Sequence, residues 1–172
     1  MSPIKPKPSH SWIIGYGNIQ RRDDGIGPYV VNKLYKFLKY RRDLHILSLH
    51  QLEPDLIHDL RHAHLILFVD ATMNELEEGW NLVRIKPECK ILPYLTHYFE
   101  PSFLLILLQS VYHQYPPTWL ASVQGNDFGF GEGLTQEAEE RANHVILEIK
   151  RFISMKMVDK TETSSKVFRK QE

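Results

Sequence analysis

Residues 11–31 constrain this chain more than any other stretch: Ser-Trp-Ile-Ile-Gly-Tyr-Gly-Asn-Ile-Gln-Arg-Arg-Asp-Asp-Gly-Ile-Gly-Pro-Tyr-Val-Val. The apolar run Trp12, Ile13 and Ile14 reads as a buried strand. It ends at Gly15 and Gly17, which allow a sharp turn and a close backbone approach. A polar loop from Asn18 to Asp24 follows, and Pro28 suits the first turn of a helix. Strand, polar loop and helix thus hold two adjacent acids where a strand gives out, the place where open α/β sheets bind ligands. A dinucleotide fingerprint does not fit. Its third glycine is Gln20, the helix starts late, and two carboxylates repel a pyrophosphate. A second reading stays open, in which Asp23 or Asp24 only caps the helix.

The rest of the chain alternates strands and helices. Helix one is expected from about Pro28 to Tyr40, with Val30, Val31, Leu34, Phe37 and Leu38 facing inward. Leu44 to Leu49 forms strand two, and a short helix opens at Glu53 and Pro54. On it, His58 and His62 stand four apart and could share a face, but no pattern of the zinc type frames them. Leu65-Ile66-Leu67-Phe68-Val69 is the clearest strand. Such an unbroken apolar run suits a central parallel strand covered on both faces. Asp70 ends it, and an ionised acid there needs a partner, water or a cation. Asn81 to Ile85 reads as a fourth strand, at an edge or antiparallel. His97 lies in the loop before a nearly all-apolar helix from about Pro101 to Tyr112. Trp119 to Val123 is strand five. A last helix from about Gln136 to Met155 has Thr135 as its N-cap.

This succession predicts an α/β fold of three layers, αβα. The sheet has five twisted, mostly parallel strands, with one edge strand open to an antiparallel course. One domain, residues 11–155, is expected within the 172 residues. Residues 1–10 and 156–172 are expected to be a disordered arm and tail. Composition narrows the function. Lys plus Arg and Asp plus Glu are 21 each, so no net field recruits nucleic acid or anionic lipid. The single cysteine, Cys89, excludes an internal disulfide and fits a cytoplasmic location. The first ten residues hold no targeting segment, and the apolar run from Phe103 to Leu108 is too short to cross a membrane.

With strand order two-one-three, Asp24 and Asp70 meet in the crevice above strands one and three, and the loop of His97 can fold over the same rim. Two carboxylates and an imidazole suit a borderline divalent cation such as zinc or nickel. Three protein ligands leave positions open for water or substrate.

The sequence resembles the hydrogenase maturation endopeptidases. The motifs that carry the likeness are Gly15-x-Gly17-Asn18, Asp23-Asp24-Gly25-x-Gly27, Val69-Asp70-Ala71, the His97 loop with its proline-led helix, and Gly131-Glu132-Gly133-Leu134-Thr135. They run in order from about Trp12 to Phe152. Gly125-Asn126-Asp127 departs from the usual glycine-glutamate-proline. The segment His50-Gln51-Leu52-x-Pro54 looks like members that serve bidirectional, NAD-linked hydrogenases. The resemblance implies a peptidase that removes the C-terminal extension of the NiFe hydrogenase large-subunit precursor after nickel insertion. It implies Asp24, Asp70 and His97 as the catalytic and metal-contacting residues, with substrate contacts expected at Gly17, Asn18, Asp23 and Gly25. The nickel is expected to come with the substrate, although zinc or cadmium could occupy the same site. Either a bound cation polarises the scissile carbonyl and activates water, or the acids and histidine recognise nickel already in the substrate. A monomer is expected, with no nucleic acid or membrane partner. The alternative reading is a non-catalytic, nickel-sensing binding module or chaperone for the same precursor.

Overall fold

The computed structural model describes residues 10–88 and 100–168. Cys89, His97 and the expected arm before His10 lie outside the described residues.

Five strands form one sheet: β1 (Ser11–Tyr16), β2 (Leu44–Leu49), β3 (Leu65–Thr72), β4 (Trp80–Ile85) and β5 (Thr118–Gln124). Their order is β2-β1-β3-β5-β4. The pairs β1–β2, β1–β3 and β3–β5 are parallel, and β4 closes one edge antiparallel to β5. The helices are α1 (Ile26–Leu38), α2 (Ile57–Leu60), α3 (Pro101–Tyr112) and α4 (Gln136–Phe168), with a 3-10 turn at Arg22–Gly25 before α1. The α/β architecture, its two-one-three start and the antiparallel edge strand agree with the sequence.

Successive side chains of a strand point to opposite faces, so apolar runs such as Leu65 to Val69 feed two cores. Ile13, Leu67 and Val69 pack with Val30, Leu34, Ala142 and Ile149 of α1 and α4. Ile14, Ile66 and Phe68 pack with Leu60, Leu104 and Leu108 of α2 and α3. These strand residues are fully buried, as parallel strands between two helical layers must be.

Three boundaries differ from the sequence reading. Strand β1 continues through Gly15 to Tyr16, and β3 continues through Asp70 to Thr72. Ladder bonds to neighbouring strands carry both past the residues where apolar character stops. Helix α4 does not stop near Met155 but runs on to Phe168. No proline or glycine interrupts residues 136–168, and a polar sequence carries no stop signal of its own.

The end of β1 is pressed against the start of α1. A Cβ added at Gly27 would lie 2.4 Å from the Tyr16 carbonyl oxygen and 2.6 Å from that of Val69. Only a residue without a side chain lets the helix sit so close over two strand ends. Gly27→Ala is therefore expected to lower stability by about 1–3 kcal/mol, the scale of an overpacked interior. Because both obstacles are backbone, urea unfolding should place it at the upper end of that range.

Candidate functional site

The carboxyl ends of β1 and β3 open into a cavity of about 300 Å3, lined among others by Tyr16, Asn18, Asp24, His50, Asp70 and Phe128. The two acids singled out from sequence, 46 residues apart in the chain, thus share one cavity. Each is held by its own loop. Asp24 Oδ2 accepts the backbone N–H of Asn18 at 3.0 Å. That turn depends on Gly17, whose φ is +142° and whose added Cβ would lie 1.9 Å from the Asp24 carbonyl oxygen. Gly17 and Asn18 both line the cavity.

Asp70 is half-buried. Its carboxyl is pushed up to about 7, chiefly by burial, with the charges of Asp24 and Glu100 adding to the push. Hydrogen bonds from the Tyr16 hydroxyl and the Ala71 N–H oppose it. The Tyr16 hydroxyl donates to Asp70 Oδ2 at 2.7 Å. The phenol itself is driven well above its ordinary value, first by burial and then by Asp70, so it stays a donor. A second cavity of about 530 Å3 shares Tyr16, Asp70 and Ala71 with the first and is lined further by Thr72, Asn74, Glu100, Ser102 and Ser122.

Two expected substrate contacts are corrected. Asp23 does not face the cavity. It is 0% exposed, and its carboxylate is consumed by four donors. The N–H groups of Asn126 and Asp127 reach Oδ2 at 2.7 and 2.9 Å. Thr135 gives its N–H to Oδ1 at 2.7 Å and its hydroxyl to Oδ2 at 2.8 Å. Burial raises this carboxyl, but the hydrogen bonds outweigh it and the net shift is downward. Asp23 is a clamp that ties the β1–α1 loop to the β5–α4 loop. Gly25 is buried beneath Ile19 and is not on the cavity wall. Asp23 does not cap the helix that follows it either, since its carboxylate is taken up by a loop distant in sequence.

The second loop is fastened further. Arg22 N donates to Gly131 O at 3.0 Å, and Gly131 N donates to Gln20 O at 2.8 Å. Thr135 also caps α4, with Ala138 N 3.4 Å from its hydroxyl. His58 is explained locally, since its Nδ1 lies 2.6 Å from the Tyr112 hydroxyl.

No group of three or more His, Cys, Asp or Glu suited to a metal occurs among the described residues. The donor set there is two carboxylates on one cavity, one of them raised chiefly by burial and to a lesser degree by the other's charge. A cation relieves that repulsion, so these residues fit one. Sequence reasoning missed Tyr16, Glu100 and Ser122. Tyr16 was read as a spacer between glycines, and Glu100 as the residue before a helix proline.

Comparison with solved structures finds the same fold in hydrogenase maturation proteases. The chain is similar to the [NiFe] hydrogenase maturation protease HycI from Thermococcus kodakarensis, with TM-score 0.69 and 22% identity over 87% of this chain and 95% of that one. It is similar to the hydrogenase maturating endopeptidase HybD from E. coli, with TM-score 0.65 and 18% identity over 86% and 93% of the two chains. A hydrogenase 2 maturation peptidase from a Thaumarchaeota archaeon gives TM-score 0.58 and 16% identity over 84% and 98%. No protein-family model and no curated sequence matches the chain. At these identities the likeness establishes the fold.

Two outcomes follow for stability. Asp23→Asn removes a charged acceptor from four donors and should cost about 3 kcal/mol in urea unfolding at neutral pH, the upper scale of a hydrogen bond to a charge. Because the folded-state pKa lies below the ordinary carboxylate value of 3.8, the charge-dependent part is complete above that pH. It is lost as pH falls through the folded value, so the gap should narrow in acid. Asp70 has the opposite sign. Its folded pKa of about 7 exceeds the ordinary 3.8, so its contribution is most favourable below 3.8 and declines as pH rises through 7. Asp70→Asn should therefore melt no lower than wild type at pH 8, with its relative advantage gone near pH 4.

Proposed function

We propose that this chain is an endopeptidase that removes the C-terminal extension of the NiFe hydrogenase large-subunit precursor after nickel insertion. The observation that carries the reading is the meeting of Asp24 and Asp70 in one cavity at the carboxyl rim. The shared fold with maturation proteases supports it, and so do the ordered motifs of the sequence.

Nickel is here part of the substrate. Asp24, Asp70 and His97 hold it, and zinc or cadmium can take the same donors. Nickel brought by the precursor explains how cutting waits for metal insertion. His97 lies outside the described residues and enters by motif alone. The cation supplies polarisation of the scissile carbonyl. The chain's own residues orient the peptide and handle the proton. Asp70 takes a proton from the attacking water through the oxygen that the cation leaves free and returns it to the departing amine. Water then adds to the carbonyl carbon, the C–N bond breaks, and the balance of protons is restored. Among the described residues no helix is long and apolar enough to cross a membrane. We read the protein as a cytoplasmic monomer with no nucleic acid or lipid partner.

The rim suits a protein substrate. Ile19, Met73 and Phe130 are 64%, 77% and 86% exposed. Met73 lines the cavity, and Ile19 and Phe130 sit on the two loops joined through Gln20 and Gly131. His50, Gln51 and Leu52 also line it, and the resemblance of that segment to members serving bidirectional, NAD-linked hydrogenases implies such a hydrogenase as the client.

Incubation with precursor, with and without nickel, read by mass spectrometry, tests the reading. The wild type should shorten only the nickel-loaded precursor. Asp24→Asn and Asp70→Asn should each slow the cut by about a hundredfold or more, the range for loss of a general base. A stable complex whose precursor keeps its mass would assign a holding role instead. The pH profile of kcat/KM should fall on the acid side of about 7, following the carboxyl of Asp70.

A further inference from the structure

We infer that Tyr16 is a positioning residue, whose hydroxyl fixes the plane of the Asp70 carboxylate at the point where the two cavities of the rim join. The inference rests on the peptidase reading and deepens it. Tyr16, Asp70 and Ala71 line both the 300 Å3 and the 530 Å3 cavity. An endopeptidase must lodge chain on both sides of the bond it cuts, so a carboxylate at such a junction stands beside both parts of the substrate.

A carboxylate turns easily about its terminal torsion, which is broad rather than staggered. Tyr16 stops that turning for Asp70, together with the Ala71 N–H. Its hydroxyl occupies Oδ2 at 2.7 Å, and the phenol is itself held at three places. Its backbone is in the ladder of β1, paired with Leu49 of β2. Its ring meets Phe68 edge-on at 6.4 Å between centroids. Its carbonyl oxygen lies under Gly27. An anchor so constrained transmits its position to the acid, and the unused lone pairs of Asp70 face substrate in one fixed direction. Groups held in this way, one step back from the reacting atoms, govern reactive geometry.

The sequence position adds to the argument. Gly-Tyr-Gly places the ring between two residues without side chains, one at the end of the strand and one in the turn. Packing alone accounts for the ring but not for the hydroxyl, which needs the acceptor it has found.

The test separates hydroxyl from ring with Tyr16→Phe. On the nickel-loaded precursor, kcat should fall by about 10–100-fold, the usual loss when a residue behind a site-forming ligand is removed. KM and the melting temperature should stay close to wild type. A residue that merely fills space would leave kcat within about twofold, and that result overturns the inference. Should the wild type leave the precursor uncut, the peptidase reading falls, and a second readout then decides on Tyr16 alone. The 13C signal of the Asp70 carboxyl carbon should shift between wild type and Tyr16→Phe at fixed pH. An unmoved signal overturns the hold on Asp70.

Discussion

A carboxylate without water needs donors, and Asp23 finds four of them in a loop more than a hundred residues away. Losing hydration costs an ion several kcal/mol in a protein interior, so neither loop is stable in this form without the other. The β1–α1 loop supplies the charge, and the β5–α4 loop supplies the N–H groups and a hydroxyl. Their union places Phe128 across the cavity from Asn18 and Asp24. The neighbouring acid meets a different fate for a simple reason. Asp23 and Asp24 lie in a 3-10 turn, where successive side chains diverge by about 120°. If one points inward to the clamp, the next points away from it. The pair Asp-Asp is thus one residue that ties two loops and one that lines the cavity, side by side.

The second constraint is Asp70. Strand β3 is fully buried from Ile66 to Val69, and the acid follows without a break in the ladder. Burial and like charge from Asp24 and Glu100 make the ionised form expensive. A chain selected for stability alone would place an apolar residue or an amide there. That it carries an acid is the local violation of folding rules that active sites display.

Much of this was visible in the residues. The unbroken apolar run of β3 announced a central strand, and the order β2-β1-β3 follows from right-handed crossovers. Asp24 and Asp70 were found because acids at strand ends are physically costly. Asp23 was assigned to substrate because residue type cannot tell a charge satisfied by distant donors from one awaiting a ligand. Its partners, Asn126, Asp127 and Thr135, offer mostly backbone N–H groups, which every residue has. Tyr16 escaped because strand β1 was taken to stop at its first glycine. The ladder continues through Gly15 since its pairing with Ser48 and Val69 asks nothing of a side chain. The length of α4 was hidden for a related reason: a polar stretch without breakers reads as readily as coil as it does as helix.

Register explains why the polar groups meet where they do. Asp70 pairs directly with Ser122, and Ser122 with Asn81. Directly paired residues share a face of the sheet, so these three form a row across β3, β5 and β4, with the Tyr16 hydroxyl reaching Asp70 from β1. The row lies on the face that Ile14, Phe68 and Leu120 cover farther back with α3. Two residues nearer the start of β3 and β5, such a row would sit beneath that helix, without room or water. At the carboxyl rim, loops replace helix and both cavities open. Among the described residues the Oδ1 of Asn81 is buried without a hydrogen-bond partner, so the row ends on an unspent acceptor. The fold therefore sets this row of polar groups at the edge of the sheet where loops leave room for a ligand.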